Sequence, residues 1–216
     1  SMTVNVSKAN IVFNADVVEV QYGEKVLTSA ELFERMNIRI NSASDSIAVT
    51  LDKLVSFYIS ENAKKVGEYY LQTQILDGAD KNFEVSLAQE SEQTNTPYHI
   101  VPRIITVDWG NADRVYKGED WYFTAVGFGN VMDGDTISTP TYSLIMEDGE
   151  YPAKARNVGD YKVKIFVNSS NVNYVVDEAS RYNTFTILPK EVEVEWDVKN
   201  FTYDGEGHML EAKIVG

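Results

Sequence analysis

The sequence has no cysteine, which excludes disulfides, thiolate metal sites and cysteine nucleophiles together. Histidine is almost missing too: 216 residues contain 2, His99 and His208. No apolar run approaches the roughly 20 residues that a membrane helix needs. Basic charge is scarce, with 19 Lys and Arg against 33 Asp and Glu and a net charge of −14. Clustered cations are what nucleic acid and anionic lipid require, so neither nucleic acid nor direct membrane contact is expected. A signal peptide is lacking, and Ser1-Met2 reads as the scar of a removed purification tag. The zero cysteine count leans toward a bacterial surface protein, because small secreted eukaryotic modules often carry a disulfide.

What is present is ordinary globular material, 44% hydrophobic and 24% charged, and it repeats itself. "VPRIITVDWGNADRVYKGED" (101–120) returns as "LPKEVEVEWDVKNFTYDGEG" (188–207). The interval from Trp109 to Trp196 equals that from Tyr116 to Tyr203. "WYFTAVGFG" from Trp121 aligns without gaps to "HMLEAKIVG" from His208. Looking backward, "AKKVGEYYLQTQI" from Ala63 parallels "ARNVGDYKVKIFV" from Ala155, and "YHIVPR" from Tyr98 parallels "FTILPK" from Phe185. "QYGE" at Gln21 takes the Tyr-Gly-Glu slot of a first copy. The domains expected are 3–102, 103–189 and an incomplete third copy over 190–216, after the scar at 1–2.

Within each copy the apolar residues alternate. Ile105, Val107 and Trp109 share one strand face, as do Val192, Val194 and Trp196, while Glu191, Glu193 and Glu195 take the other. Period-two alternation bounded by Gly, Asp and Asn turns predicts half-buried strands in antiparallel sandwiches. Trp109 and Trp196 are therefore expected in the core. "TSAELFERM" (28–36) places Leu32, Phe33 and Met36 at helical spacing behind a Thr28/Glu31 capping-box pair, which allows a short helix; the "NIRI" that follows allows a strand edge instead. Gly-x-Tyr opens a late strand in both copies, at Tyr69 and Tyr161. It resembles the tyrosine corner of immunoglobulin-like domains, where the hydroxyl bonds back to the preceding loop.

Pro-Lys/Arg, a "VxVxW" strand, "Y-D-G", a "G-x-Y" strand, Asn-Tyr and a closing "F-x-I-x-P", in this order, resemble the MBG/YDG-type repeats of large bacterial surface proteins. The likeness covers nearly the whole chain and is best from Tyr98 onward. The first copy departs from it in "QYGE" and in Phe13 where a Trp is usual. The resemblance implies tandem immunoglobulin-like β-sandwiches in an extracellular, cell-surface or cell-wall protein of a bacterium, often an adhesin. It also implies a stalk role without catalytic residues, with neighbouring repeats of the same chain as partners.

The residues themselves argue the same way about chemistry. His99 and His208 fall in different copies, with no Ser-His-Asp order and no phosphate loop, so no enzyme is expected. "DGAD" brings Asp77 and Asp80 together, and "MDGDT" brings Asp133 and Asp135. These pairs suit a structural Ca2+, although Asp-Gly is also the commonest turn dipeptide, and no other cofactor is expected. Strand parity places Tyr70, Tyr122 and Phe166 outward, where aromatics could meet a host glycan or protein. The function expected is a stalk or spacer presenting a distal head, the alternative being that the repeats themselves adhere.

Overall fold

A computed structural model describes residues 2–42, 51–77, 83–87, 96–197 and 200–215. Among them the chain is all-β in several sheets, with one short α-helix. Contacts divide it into two units: Ser1–Thr106 with Gly129–Thr139 and Val167–Asp177, and Val107–Phe128 with Pro140–Phe166 and Glu178–Gly216. The first unit thus holds three segments that the sequence places in the second copy, residues 103–106, Gly129–Thr139 and Val167–Asp177.

In the first unit, Ala9–Asn14 pairs antiparallel with Arg39–Ser42 and parallel with Phe83–Leu87. Tyr98–Val101 lies between Val18–Gln21, parallel, and Gly67–Tyr69, antiparallel. Val55–Tyr58 and Gln72–Ile75 form an antiparallel pair. The segment 28–36 resolves as the helix Ser29–Arg35, with both arms of the Thr28/Glu31 capping box made. The helix buries Leu32 and Met36 beneath Phe13, Phe57 and Tyr98. Phe57 meets Phe13 and Phe33 edge-on at 4.9 and 4.8 Å, the favoured geometry for aromatic quadrupoles.

The second unit is built on a five-stranded sheet ordered Asp113–Val115, Tyr182–Leu188, Gly159–Phe166, Thr141–Met146, Gly149–Pro152. Side chains alternate along Gly159–Phe166, with Val163 and Ile165 buried and Phe166 outward as expected. Ile187 and Phe185 join them in the core, with Phe123 stacked on Phe185 at 4.8 Å.

Two expectations need correction. The sheets are mixed rather than antiparallel throughout. In each copy an opening strand runs parallel to the closing one, Val18–Gln21 with Tyr98–Val101 and Asp113–Val115 with Tyr182–Leu188. Strands so far apart in sequence are joined by no hairpin, so nothing local imposes an antiparallel direction. Trp196, expected in the core, is 62% exposed, whereas Trp109 is 8% exposed. Among the described residues Glu193–Trp196 pairs only with Ala212–Val215, and a two-stranded ribbon has no second layer to cover its apolar face. Val192, Val194, Leu210 and Ile214 are left exposed for the same reason.

Candidate functional site

The tyrosine-corner positions are bonded alike. The Tyr69 hydroxyl donates to the Lys65 carbonyl at 2.6 Å and that of Tyr161 to the Asn157 carbonyl at 2.8 Å, each four residues upstream. In both cases a Gly opens the strand and the ring lies back over the loop that precedes it.

A long-range polar cluster lies in the first unit. The turn after Val18–Gln21 carries Tyr22 and Gly23, and Tyr22 N–H donates to the Val101 carbonyl at 2.9 Å, continuing the parallel ladder. The Tyr22 hydroxyl donates to Asp135 Oδ2 at 2.9 Å, and Tyr174 donates to the same oxygen at 2.5 Å. The two rings meet edge-on at 5.5 Å. The Met132 N–H donates back to the Tyr174 hydroxyl at 3.2 Å. Burial, and then the bond to Asp135, push the Tyr174 phenol up to about 12; Tyr22 is raised mainly by its bond to Asp135. Arg103 completes the cluster by donating to the Tyr22 carbonyl at 3.3 Å and to Asn130 O and Oδ1 at 2.9 and 2.7 Å. Asn171, buried, exchanges bonds with the Ser138 main chain at 2.9 and 3.0 Å. The loop Gly129–Thr139 is thus fastened at its start, middle and end.

A cavity of about 280 Å³ opens beside this cluster, lined by Tyr22, Glu24, Ala63, Lys64, Met132 and Asp133 among others. It lies below the range of roughly 300–1,000 Å³ usual for small-molecule sites. Of its polar lining, Tyr22 and Asp135 are bonded to each other.

The expected site residues do not converge. Asp135 spends one carboxylate oxygen on two phenols, and Asp133 beside it is exposed. Asp77 is exposed and Asp80 lies outside the described residues. Among the described residues no three His, Asp or Glu side chains gather as a metal site. Tyr70 and Tyr122 are 65% and 68% exposed and Phe166 is 38% exposed. Lys154 approaches the Tyr122 ring at 6.0 Å and Lys164 the Phe166 ring at 4.2 Å. Tyr70 belongs to the first unit, while Tyr122 and Phe166 belong to the second.

The histidines stand apart as well. His99 is half-buried in the middle strand of its sheet, directly beside Glu19 and Glu68. His208 stacks on Phe201 at 4.2 Å, with Nε2 3.0 Å from Asp204. Neither has a serine nucleophile bonded to it among the described residues.

Sequence reading missed the Tyr22–Asp135–Tyr174 cluster. Its members are far apart in the chain, and Asp135 was noticed only as a cation ligand. The one available signal was Asn173-Tyr174, which occupies a fixed place in the repeat pattern. No protein-family model, curated protein or solved structure matches the chain.

Proposed function

We propose that the chain is a run of tandem immunoglobulin-like repeats, resembling the MBG/YDG type, that serves as a non-catalytic stalk or spacer of a large bacterial surface protein. The observation that carries this reading is the same wiring made twice. Tyr69 and Tyr161 each bond four residues back. Tyr22 and Tyr116 each donate a backbone N–H at 2.9 Å to the last carbonyl of a closing strand, Val101 and Leu188. One residue, Pro102, separates the closing strand Tyr98–Val101 from the next opening strand Arg103–Asp108. Proline holds the residue before it extended, so the chain passes from one strand into the next without a loop. Modules repeated on such short connections suit a spacer, because each contributes its own stability. The net charge of −14 keeps the chain away from nucleic acid and anionic lipid.

The second reading, adhesion by the repeats to a host glycan or protein, is favoured by the exposure of Tyr70 and Tyr122. Both readings meet one experiment: the chain, as monomer and as an avidity-raising multimer, on an array of mucins, glycans and matrix proteins, beside the Tyr70→Ala/Tyr122→Ala double variant. Silence across the array supports the spacer. A specific hit removes it in favour of adhesion, and loss of that hit in the double variant places the contact on these aromatics.

A further inference from the structure

The turn that follows the opening strand is used differently in the two units. In the first, Gly23 has φ +80° and a Cβ added there would lie 2.4 Å from Met132 Sδ, so the loop Gly129–Thr139 presses directly on the turn. The neighbouring phenol, Tyr22, bonds Asp135 of that loop, and the basic residue after the linker proline, Arg103, holds Asn130. In the second unit a tyrosine and a glycine again follow the opening strand, without the loop and with Lys117 between them where Tyr22 and Gly23 are adjacent. Gly118 also has φ +80°, but a Cβ there would meet nothing within 4 Å. Tyr116 is 39% exposed. Lys190 stands after Pro189 as Arg103 stands after Pro102.

These residues line an open groove of about 530 Å³: Val115, Tyr116, Lys117, Gly118, Trp121 and Lys190. Its charge is opposite to that of the chain as a whole. Lys117 lies 4.1 Å from the centre of the Trp121 ring, and Arg114 also faces that ring at 5.6 Å. In the first unit a loop with one thioether and two carboxylates, Met132, Asp133 and Asp135, lies against the turn, Met132 over Gly23 and Asp135 on Tyr22.

We propose that the Tyr116–Gly118 turn, with Trp121 and Lys190, is a docking socket for the acidic Met-Asp-Gly-Asp type of loop carried by another repeat. The loop's apolar side chain packs over Gly118, as Met132 packs over Gly23. Its carboxylate accepts from the Tyr116 hydroxyl and is held by Lys190 and Lys117. Burying a phenol–carboxylate bond beside two ammonium groups selects an acidic turn over a neutral one. The socket deepens the spacer reading and rests on its tandem repeats, supplying the contact by which one repeat recognises the next.

The test uses the whole chain, isotope-labelled, titrated to millimolar concentration with a synthetic peptide of residues 129–139, while the Gly118 amide and Trp121 indole NMR signals are followed. Saturable shifts at both are expected, with the signals of the first unit unmoved because that turn is already filled. Lys190→Glu and Tyr116→Phe should each weaken the shifts about tenfold, as should an Asn in place of Asp135 in the peptide; Tyr22→Phe should not. No shift, or equal shifts in the Lys190→Glu chain, overturns the socket. If sialyllactose moves these signals and the peptide does not, the groove belongs to an acidic glycan and the loop is the wrong occupant. An absent peptide shift with a silent ligand array removes the socket alone, whereas an array hit removes the spacer reading whatever the peptide does.

Discussion

Tyr174 donates its hydroxyl to Oδ2 of Asp135, 39 residues earlier in the chain, and Tyr22 donates to the same oxygen. One carboxylate thereby ties three segments of the first unit together. Removing it leaves two phenols, one of them buried, without their acceptor. Asp135→Ala should cost about 2–3 kcal/mol, and Tyr174→Phe about 1.5 kcal/mol, since bonds to charged groups exceed neutral ones. Urea unfolding of the single and double variants should give a clear coupling between the two sites. Additive losses would mean that the bond contributes nothing.

The same cluster sets a limit at alkaline pH. The Tyr174 phenol is pushed up to about 12 by burial and by Asp135, and Tyr22 is raised chiefly by Asp135. A raised folded value means that the folded state favours the protonated phenol. This contribution is complete below the unfolded value of about 10 and is lost as pH climbs from there toward 12. Tyrosinate absorbance should show Tyr22 and Tyr174 titrating late, along with Tyr98 and Tyr142, which burial raises. Asp135→Asn should bring only Tyr22 and Tyr174 back toward ordinary values. A single transition for all tyrosines would contradict this.

Each corner hydroxyl has one partner, the Lys65 or the Asn157 carbonyl. Tyr69→Phe and Tyr161→Phe keep the ring and lose the bond, so each should cost about 1 kcal/mol. The two share no partner, so the double variant should lose the sum. Chemical denaturation reads both, and an unchanged Tyr161→Phe midpoint would deny that corner a role in stability.

Trp109 and Trp196 hold the same place in successive copies with opposite surroundings. Trp109 is 8% exposed and donates its indole N–H to the Ser180 carbonyl at 2.9 Å. Trp109→Ala should cost about 3–5 kcal/mol, whereas Trp196→Ala, at 62% exposure, should stay within about 0.5 kcal/mol. Thermal melts of the two variants distinguish these outcomes, and equal losses would show that the ribbon's tryptophan is packed.

Thr28 opens the helix Ser29–Arg35 by accepting from the Glu31 N–H, while Glu31 accepts from the Thr28 N–H and hydroxyl. Thr28→Ala should cost about 1 kcal/mol. The Thr28 backbone N–H, then its hydroxyl, hold the Glu31 carboxyl below its usual value. A lowered carboxylate stabilises above its unfolded value and loses that contribution as pH falls through the folded one. The part of the Thr28→Ala penalty carried by the hydroxyl–carboxylate bond should therefore shrink on acidification, and a penalty constant with pH would exclude that bond.

Much of the architecture was legible because strand patterning and turns are local. The parity that put Ile105, Val107 and Trp109 inward follows from side chains alternating across a pleat, and it needs no partner strand to be known. The Thr28/Glu31 spacing offered a helix start beside a strand-edge alternative, and the structure makes the helix. Tyr69 and Tyr161 announced their bonds because donor and acceptor lie four residues apart.

Parity alone could not say whether an apolar face would be covered. Val192, Val194 and Trp196 obey the same alternation as their counterparts, yet burial needs a second layer, and that is a tertiary fact. Strand direction, expected antiparallel throughout, went wrong where the partners are distant, as with Asp113–Val115 parallel to Tyr182–Leu188. Asp135 shows the limit most clearly. Its local sequence offered a turn or a cation ligand, and only folding brought two phenols to its oxygen. By itself the sequence determined the repeat, the strands, the helix cap and the corners, all encoded within a few residues. The tertiary structure alone decided which turn is filled and which stands open, because close packing depends on segments meeting that no short stretch of sequence can specify.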